Sequence, residues 1–231
     1  MHYDHLGVDP NRSGHNIYNG AVDNGTGCGI VLELAHAFAT SGIKPPHPIL
    51  FVSVTAEEKG LLASNYLSKH LPIPAAAISL DLNYDAVPPI GVPVSVNVTG
   101  AERTTFFPTV QKTAAAFGYD IQADPQPGAG RYYRSDHFSL ARAGVPAFSI
   151  NTAMKFVGHP PEWGKTQAEE YTAKHYHQPS DQYTPGMDFS SDASVAQFGF
   201  ALGWAALTAP KAIAWQPGDE FEAPRQRSEA H

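Results

Sequence analysis

The sequence lacks the features that mark several classes of protein. It has a single cysteine, Cys28, which excludes an internal disulfide framework. No apolar run approaches the roughly 20 residues that a membrane-spanning helix needs, so we expect no membrane partner. Lys and Arg number 15 against 22 Asp and Glu, the formal net charge is −7, and no basic run occurs. We therefore expect no nucleic-acid partner.

The composition is that of a globular protein. The 231 residues are 42% hydrophobic and 16% charged, which is enough for one domain with a sizeable core. The final segment is charged and contains Pro210, Pro217 and Pro224. We predict a domain over residues 1–209, followed by a tail over 210–231 whose last residues are mobile.

Helical and strand-like patterns of apolar residues alternate along the chain. Helices are predicted at 24–41, 59–70, 102–117 and 188–207, and strands at 49–55, 75–82, 94–98 and 147–150. A long, polar and irregular stretch is predicted at 151–187. The alternation predicts an α/β fold, a three-layer α/β/α arrangement with a mixed, mainly parallel central sheet. Ligands in such sheets bind beyond the carboxyl ends of the strands.

Histidines and carboxylates follow several of these segments. Glu57 and Glu58 end the apolar run of the first strand, and four further candidates lie in loops or at strand ends: His2, Asp23, Asp81 and His177. Two imidazoles and three carboxylates, one of them bridging, form a complete ligand set for two zinc ions. The other glutamate is then free to act as a base, which is what metal-assisted hydrolysis needs.

Six strings carry a resemblance to a known family. They are HYDHLG at 2–7, YNGAVDNGTG at 18–27, TAEEKGLLAS at 55–64, SDH at 135–137, AGVPA at 143–147 and HYHQPSD at 175–181. Together they resemble the co-catalytic di-zinc aminopeptidases of metallopeptidase family 28, clan MH, which are similar to bacterial leucyl aminopeptidase. The resemblance covers about residues 1–207. It implies a zinc exopeptidase that removes N-terminal residues from a peptide substrate.

The resemblance also implies a role for each matching residue. The two ligand sets share a bridging Asp23: one zinc is held by His2, Asp23 and Asp81, and the other by Asp23, Glu58 and His177. Glu57 is the implied general base, acting on a hydroxide that bridges the metals.

Other matching residues are implied to support the ligands and the substrate. The carboxylate of Asp4 would accept the second ring N–H of His2 and fix its orientation. The hydroxyl of Tyr176 would bind the tetrahedral intermediate. Asp136 and His137 would line the pocket or lie behind the ligands, because neighbours in sequence cannot form a catalytic triad.

The sequence departs from the family at its start. In the family, further strands and helices precede the first ligand histidine, and many relatives add a protease-associated domain and an export signal; here that histidine is His2. We therefore expect a natural or engineered truncation of a longer secreted or periplasmic peptidase, or an unusually minimal member of the family. A shortened sheet would expose an edge through which chains can pair as a homo-oligomer. We also expect the zinc site that uses His2 to be the weaker of the two, because chain ends fray.

Three alternatives stay open at this point. One is a glutaminyl cyclase-like transferase on the same fold, which works with a single zinc, although the pair of His2 and Asp23 favours two metals. Another is a carboxypeptidase, for which Arg131 and Arg134 could furnish a basic pocket. The third is a non-catalytic binding domain that keeps the fold without the activity.

Overall fold

A computed structural model describes residues 1–124 and 127–229 of the chain. Its strands are β1 (Gly7–Val8), β2 (Ile17–Tyr18), β3 (Asp81–Asn83), β4 (Ser95–Asn97), β5 (Asp120–Ile121), β6 (Ala147–Ser149) and β7 (Asn151–Thr152). Its α-helices are α1 (Gly25–Thr40), α2 (Leu62–Lys69), α3 (Phe107–Phe117), α4 (His137–Arg142), α5 (Trp163–Lys174), α6 (Ser190–Leu207) and α7 (Glu222–Glu229). Within these residues no helix is long and apolar enough to cross a bilayer.

The strands are short and pair in both directions. β3 and β6 are parallel, while β4 lies between a parallel β5 and an antiparallel β7. α6 packs against both α1 and α3, whereas α2 packs on α4, which contacts β3 and β6. The prediction of a mixed α/β fold is therefore confirmed, although the described strands form three small sheets, β1-β2, β3-β6 and β5-β4-β7, rather than one central sheet.

The main core lies between the strands β4 and β6 and the helices α1, α3 and α6. Its fully buried side chains include Val96, Phe148, Phe198 and Leu202. Burying a side chain of this size contributes about 1.5–3 kcal/mol each relative to leaving it in water. This packing fixes the ends of the strands, from which the candidate site is built.

Two of the predicted strands are wrong in detail. In the stretch 49–55 Val54 forms an isolated bridge with His2, no strand is assigned among these described residues, and Leu50 and Phe51 are exposed. The stretch 75–82 begins with a 3₁₀ turn, Ala75–Ala77, and its strand is β3. Alanine has little preference for strands, so this strand starts at Asp81 rather than ending there.

Two further segments are more ordered than the sequence indicated. The stretch 151–187 contains α5, which has no apolar stripe to signal it because its residues are mostly polar. The C-terminal segment is anchored: the Trp215 indole donates to the carbonyl of Gly144 (3.1 Å), and buried Arg225 donates to the backbone carbonyl of Ala75 (2.8 Å). The boundary at residue 209 stays a prediction, and the expected mobile end at 230–231 lies outside the described residues.

Candidate metal centre

The backbone of His2 forms an isolated parallel β-bridge with Val54. Tyr3 N–H donates to the carbonyl of Val54 (3.0 Å), and Val54 N–H donates to that of Met1 (3.1 Å). The His2 side chain is only 1% exposed. Its Nε2 lies 3.3 Å from Asp23 Oδ1 and 3.4 Å from Asp85 Oδ1. Burial alone would lower the pKa of His2, but the two carboxylates outweigh it and raise it to about 12.

Asp4 supports this segment differently from the sequence prediction. His2 Nδ1 lies 2.8 Å from the backbone carbonyl of Asp4, not from its carboxylate. That carboxylate instead accepts from the Thr55 hydroxyl (2.5 Å) and from the N–H of Ala56 (2.9 Å). The carbonyl thus orients the imidazole, and the carboxylate holds the turn that precedes Glu57.

Asp23 lies at the centre of the site, directly before α1. Its Oδ1 faces His2 and its Oδ2 lies 3.3 Å from His177 Nε2, so each oxygen serves a different histidine. The Asp181 carboxylate accepts the N–H groups of Val22 (3.0 Å) and Asp23 (3.1 Å). Asp181 therefore fixes the loop that presents Asp23.

The next residue, Asn24, connects this loop to the one that carries Asp85. Its Oδ1 accepts from the N–H of Gly27 (3.0 Å), which caps α1, and from the N–H of Ala86 (3.2 Å). Its Nδ2 donates to the carbonyl of Tyr84 (3.1 Å). Asp23 and Asp85 are consequently held at a fixed separation by one buried side chain.

The structure corrects one of the predicted ligands. Asp81 starts β3, where its N–H donates to the carbonyl of Pro146 (2.8 Å), and it does not join the cluster. Asp85 follows the carboxyl end of the same strand and takes the place beside His2. Its Oδ2 accepts from the Ser135 hydroxyl (2.6 Å). The cause is the shifted strand boundary, since ligands gather beyond the end of a strand.

Glu58 lies on the opposite side of Asp23, between two histidines. Its Oε2 is 3.0 Å from His177 Nε2, and its Oε1 is 2.8 Å from His5 Nδ1. Sequence reasoning gave His5 no role of its own. Its place in the string HYDHLG, three residues after His2, was the signal that could have found it.

Glu57 is close to the same cluster but makes no side-chain hydrogen bond with the described residues. Its Oε2 lies 3.9 Å from His2 Nε2. Burial, and then the charge of Asp85, raise the pKa of Glu57 to about 8. A carboxylate that binds a proton near neutral pH suits a general base.

Tyr176 lies at the open side of the site. Its ring stacks on that of His177 with 3.8 Å between centroids, and it is partly exposed. Burial, with the nearby charge of Asp23, raises the pKa of Tyr176 to about 12, so its hydroxyl keeps its proton.

Asp136 and His137 lie behind the cluster rather than in it. His137 is buried, with Nδ1 3.4 Å from the side-chain amide of Asn83. Burial lowers the pKa of His137 to about 3, which keeps the ring neutral. Burial also raises the pKa of Asp136, whose charge acts on Glu57.

Several buried polar atoms of the site make no hydrogen bond of regular geometry within residues 1–124 and 127–229, although other atoms of the site lie close to them. They are His2 Nε2, both ring nitrogens of His5, Glu58 Oε1, Asp85 Oδ1 and His177 Nε2. Such atoms cost about 1–3 kcal/mol each when they stay unpaired. Three overlapping groups of ligand atoms lie within 4.8 Å of one another: His2, Asp23 and Asp85; His2, Glu57 and Glu58; and His5, Asp23 and Glu58. Imidazole nitrogens and carboxylate oxygens in this arrangement fit zinc.

Comparison with known proteins decides the family. The model of Peptidase family M28 matches residues 1–198. The chain belongs to this family. Membership confirms the family predicted from the six strings.

Two curated relatives extend well beyond the matched region. The chain is 30% identical over 207 residues to leupeptin-inactivating enzyme 1 of Streptomyces exfoliatus, covering 88% of this chain and 44% of that protein. It is 27% identical over 184 residues to aminopeptidase YwaD of Bacillus subtilis (strain 168), covering 78% of this chain and 34% of that protein. The M28 chain thus spans less than half the length of these relatives.

Solved structures share the fold at low sequence identity. The aminopeptidase LapA of Legionella pneumophila superposes with a TM-score of 0.63 at 18% identity, over 85% of this chain and 48% of that one. A zinc aminopeptidase of Bacillus subtilis superposes with a TM-score of 0.55 at 19% identity, over 96% of this chain and 46% of that one. The glutaminyl cyclase of Porphyromonas gingivalis superposes with a TM-score of 0.54 at 19% identity, over 87% of this chain and 69% of that one. The fold alone therefore does not select between these chemistries.

Proposed function

We propose that this chain is the catalytic part of a zinc-dependent aminopeptidase with two metal sites. One site is formed by His2, Asp23 and Asp85, and the other by Asp23, Glu58 and His177. The observation that carries the proposal is Asp23, whose two oxygens each lie 3.3 Å from a different histidine. A carboxylate placed in this way is suited to bridge two ions.

Zinc in these sites would polarise the scissile carbonyl and lower the pKa of an attacking water. Glu57 takes the proton of that water and passes it to the leaving amine. Its side chain is available for this transfer because it makes no hydrogen bond elsewhere in the described chain. Tyr176, whose hydroxyl keeps its proton, donates to the negative charge that develops on the substrate carbonyl oxygen.

The charge of the site suits a peptide with a free N-terminus. Four carboxylates converge there: Asp23, Glu57, Glu58 and Asp85. The field of such a cluster attracts an ammonium group and opposes a carboxylate. This favours the N-terminal end of the substrate at the cluster.

A carboxypeptidase is the second candidate, because one arginine lies near the opening. Arg134 is exposed and its charge acts on both Tyr176 and His177. Arg131, by contrast, faces Asp124 at 3.7 Å. A positive charge at the edge of the site could receive a substrate carboxylate.

A set of blocked peptides separates the candidates. Leu-Gly-Gly, its N-acetyl form, its C-amide and a peptide with N-terminal glutamine are incubated with the zinc-loaded chain and with a Glu57→Gln variant. Cleavage of the amide but not of the acetyl form supports an aminopeptidase, and the reverse supports a carboxypeptidase. Cyclisation of the glutamine peptide without hydrolysis would instead support a cyclase, and no turnover would support a binding domain. A secreted or periplasmic origin, and homo-oligomers formed through an exposed sheet edge, stay proposals.

A further inference from the structure

His5 is a buried imidazole to which the proposed reaction gives no role. Its side chain is only 3% exposed, and neither ring nitrogen makes a hydrogen bond of regular geometry within the described chain, although Nδ1 lies close to Glu58. The ring lies against Gly20, where a Cβ would come within 2.8 Å of His5 Cγ. Gly20 also has a φ of +62°, which favours glycine. The chain thus leaves a dedicated space for this imidazole.

His5 and His177 lie on either side of one carboxylate. His5 Nδ1 is 2.8 Å from Glu58 Oε1, while His177 Nε2 is 3.0 Å from Glu58 Oε2. The two rings meet edge to face, with 5.5 Å between centroids. Each oxygen of Glu58 therefore has a separate histidine as its neighbour.

The segment that carries His5 also holds the turn before Glu58. Asp4 binds the N–H of Ala56, which adopts a φ of +55°, and His5 contacts Glu58 two residues further on. A left-handed conformation costs an alanine about 1–3 kcal/mol and persists only when its surroundings enforce it. The first residues of the chain therefore fix both the backbone and the carboxylate of the Glu57–Glu58 turn.

We propose that His5 is a positioning residue that sets the zinc affinity of the Glu58 site. In the zinc-loaded chain the Nδ1–H of His5 would donate to Glu58 Oε1, which lies 2.8 Å away, and so fix the carboxylate with Oε2 directed at the ion beside His177. The proposal rests on the metal centre proposed above. Hydrogen-bond partners of metal ligands orient them, and their loss lowers metal affinity by about 10–100-fold.

Two substitutions at His5 separate hydrogen bonding from packing and from ligation. His5→Asn places an amide N–H close to the position of Nδ1, whereas His5→Leu fills the space without a donor. His36→Asn, at an exposed position on α1, is the matched control. Zinc affinity of each full-length variant is measured by competition with a chromophoric chelator, and the absorption spectrum is recorded after loading with cobalt. Thermal unfolding of the metal-free proteins checks the fold.

We expect His5→Leu to lower the affinity for one of the two zinc ions about 10–100-fold and to alter the cobalt spectrum of that site. The zinc affinity of His5→Asn should stay within about threefold of the wild-type value. The other zinc ion and the His36→Asn control should be unchanged. Wild-type zinc affinity in His5→Leu would overturn the proposal. Equal losses in His5→Leu and His5→Asn would also overturn it, since donation of an N–H would then not matter. A wild-type chain that binds no zinc would overturn the proposed function and this inference together.

Discussion

The two sides of the candidate centre differ in how deeply they are buried. On one side, the His2 side chain is 1% exposed, its backbone pairs with Val54, and Asp85 is held by Ser135. On the other side, the His177 side chain is 32% exposed and lies in the loop after α5. Charges interact more strongly where water is excluded. We therefore expect the His2 side to hold its ion more tightly, which is the reverse of what the sequence led us to expect.

Backbone strain is concentrated around both sides. Four non-glycine residues of the described chain have positive φ, namely Ala56, Leu61, Ala86 and His177. Ala56 precedes Glu57, Ala86 follows Asp85, and His177 is itself a proposed ligand. Strained conformations of this kind gather at functional sites because the surrounding structure enforces them. Both sides are thus pre-formed, and they differ mainly in exposure.

The largest effect is expected from the two adjacent glutamates, which face different sides. Glu57→Gln removes the proposed base and should lower kcat by about 10²–10⁴-fold. Zinc content should stay at the wild-type level, because Glu57 is not a proposed ligand. Glu58→Gln should instead lose the ion beside His177. Kinetics together with elemental analysis measure both changes, and zinc loss in Glu57→Gln would contradict the assignment.

A direct comparison of the two histidines comes next. His2→Ala should lower the affinity for the more tightly bound zinc, and His177→Ala should lower the affinity for the other zinc. Each loss should be about 100-fold or more, because removing a ligand costs more affinity than removing a residue that orients a ligand. Stepwise chelation of the wild type should remove the ion beside His177 first. If the two variants lose the same ion, or if the ion beside His2 leaves first, the His2 site does not bind zinc more tightly than the His177 site.

The two aspartates of the β3 region test which of them is a ligand. Asp85→Asn should weaken the zinc beside His2 by about 10–100-fold. Asp81→Asn should leave both affinities unchanged, because Asp81 lies at the far end of the strand. The measurement is chelator competition on both variants. A larger loss in Asp81→Asn would restore the original prediction from the sequence.

The smallest effect is expected from the loop that joins the two sides. Asp181→Asn weakens the acceptor for the N–H groups of Val22 and Asp23 and should lower the free energy of unfolding by about 1–3 kcal/mol. Asp120→Asn is the control, because its ion pair with Lys155 is exposed and should contribute less than about 1 kcal/mol. Urea unfolding of both variants gives the comparison. Equal destabilisation would mean that Asp181 does not brace the Asp23 loop.

The sequence was sufficient where the signal is local. The glycine-rich start and helical spacing predicted α1, and the motif strings predicted His2, Asp23, Glu58 and His177, which the structure brings together. It failed where long-range pairing decides. β3 is set by its register with β6, so the carboxyl end of the strand was misplaced and Asp81 was chosen over Asp85.

His5 was missed for a related reason. Its importance depends on Gly20 and Glu58, which are distant in sequence and meet it only in the folded chain. The helix α5 was missed because most of its residues are polar and its apolar residues do not form a stripe.

Anomalous scattering at the zinc edge, from crystals of the zinc-loaded chain, tests the central claim most directly. We predict two peaks, one among His2, Asp23 and Asp85 and a weaker one among Asp23, Glu58 and His177. A single peak, a peak at Asp81, or no ordered metal would contradict the two-ion centre.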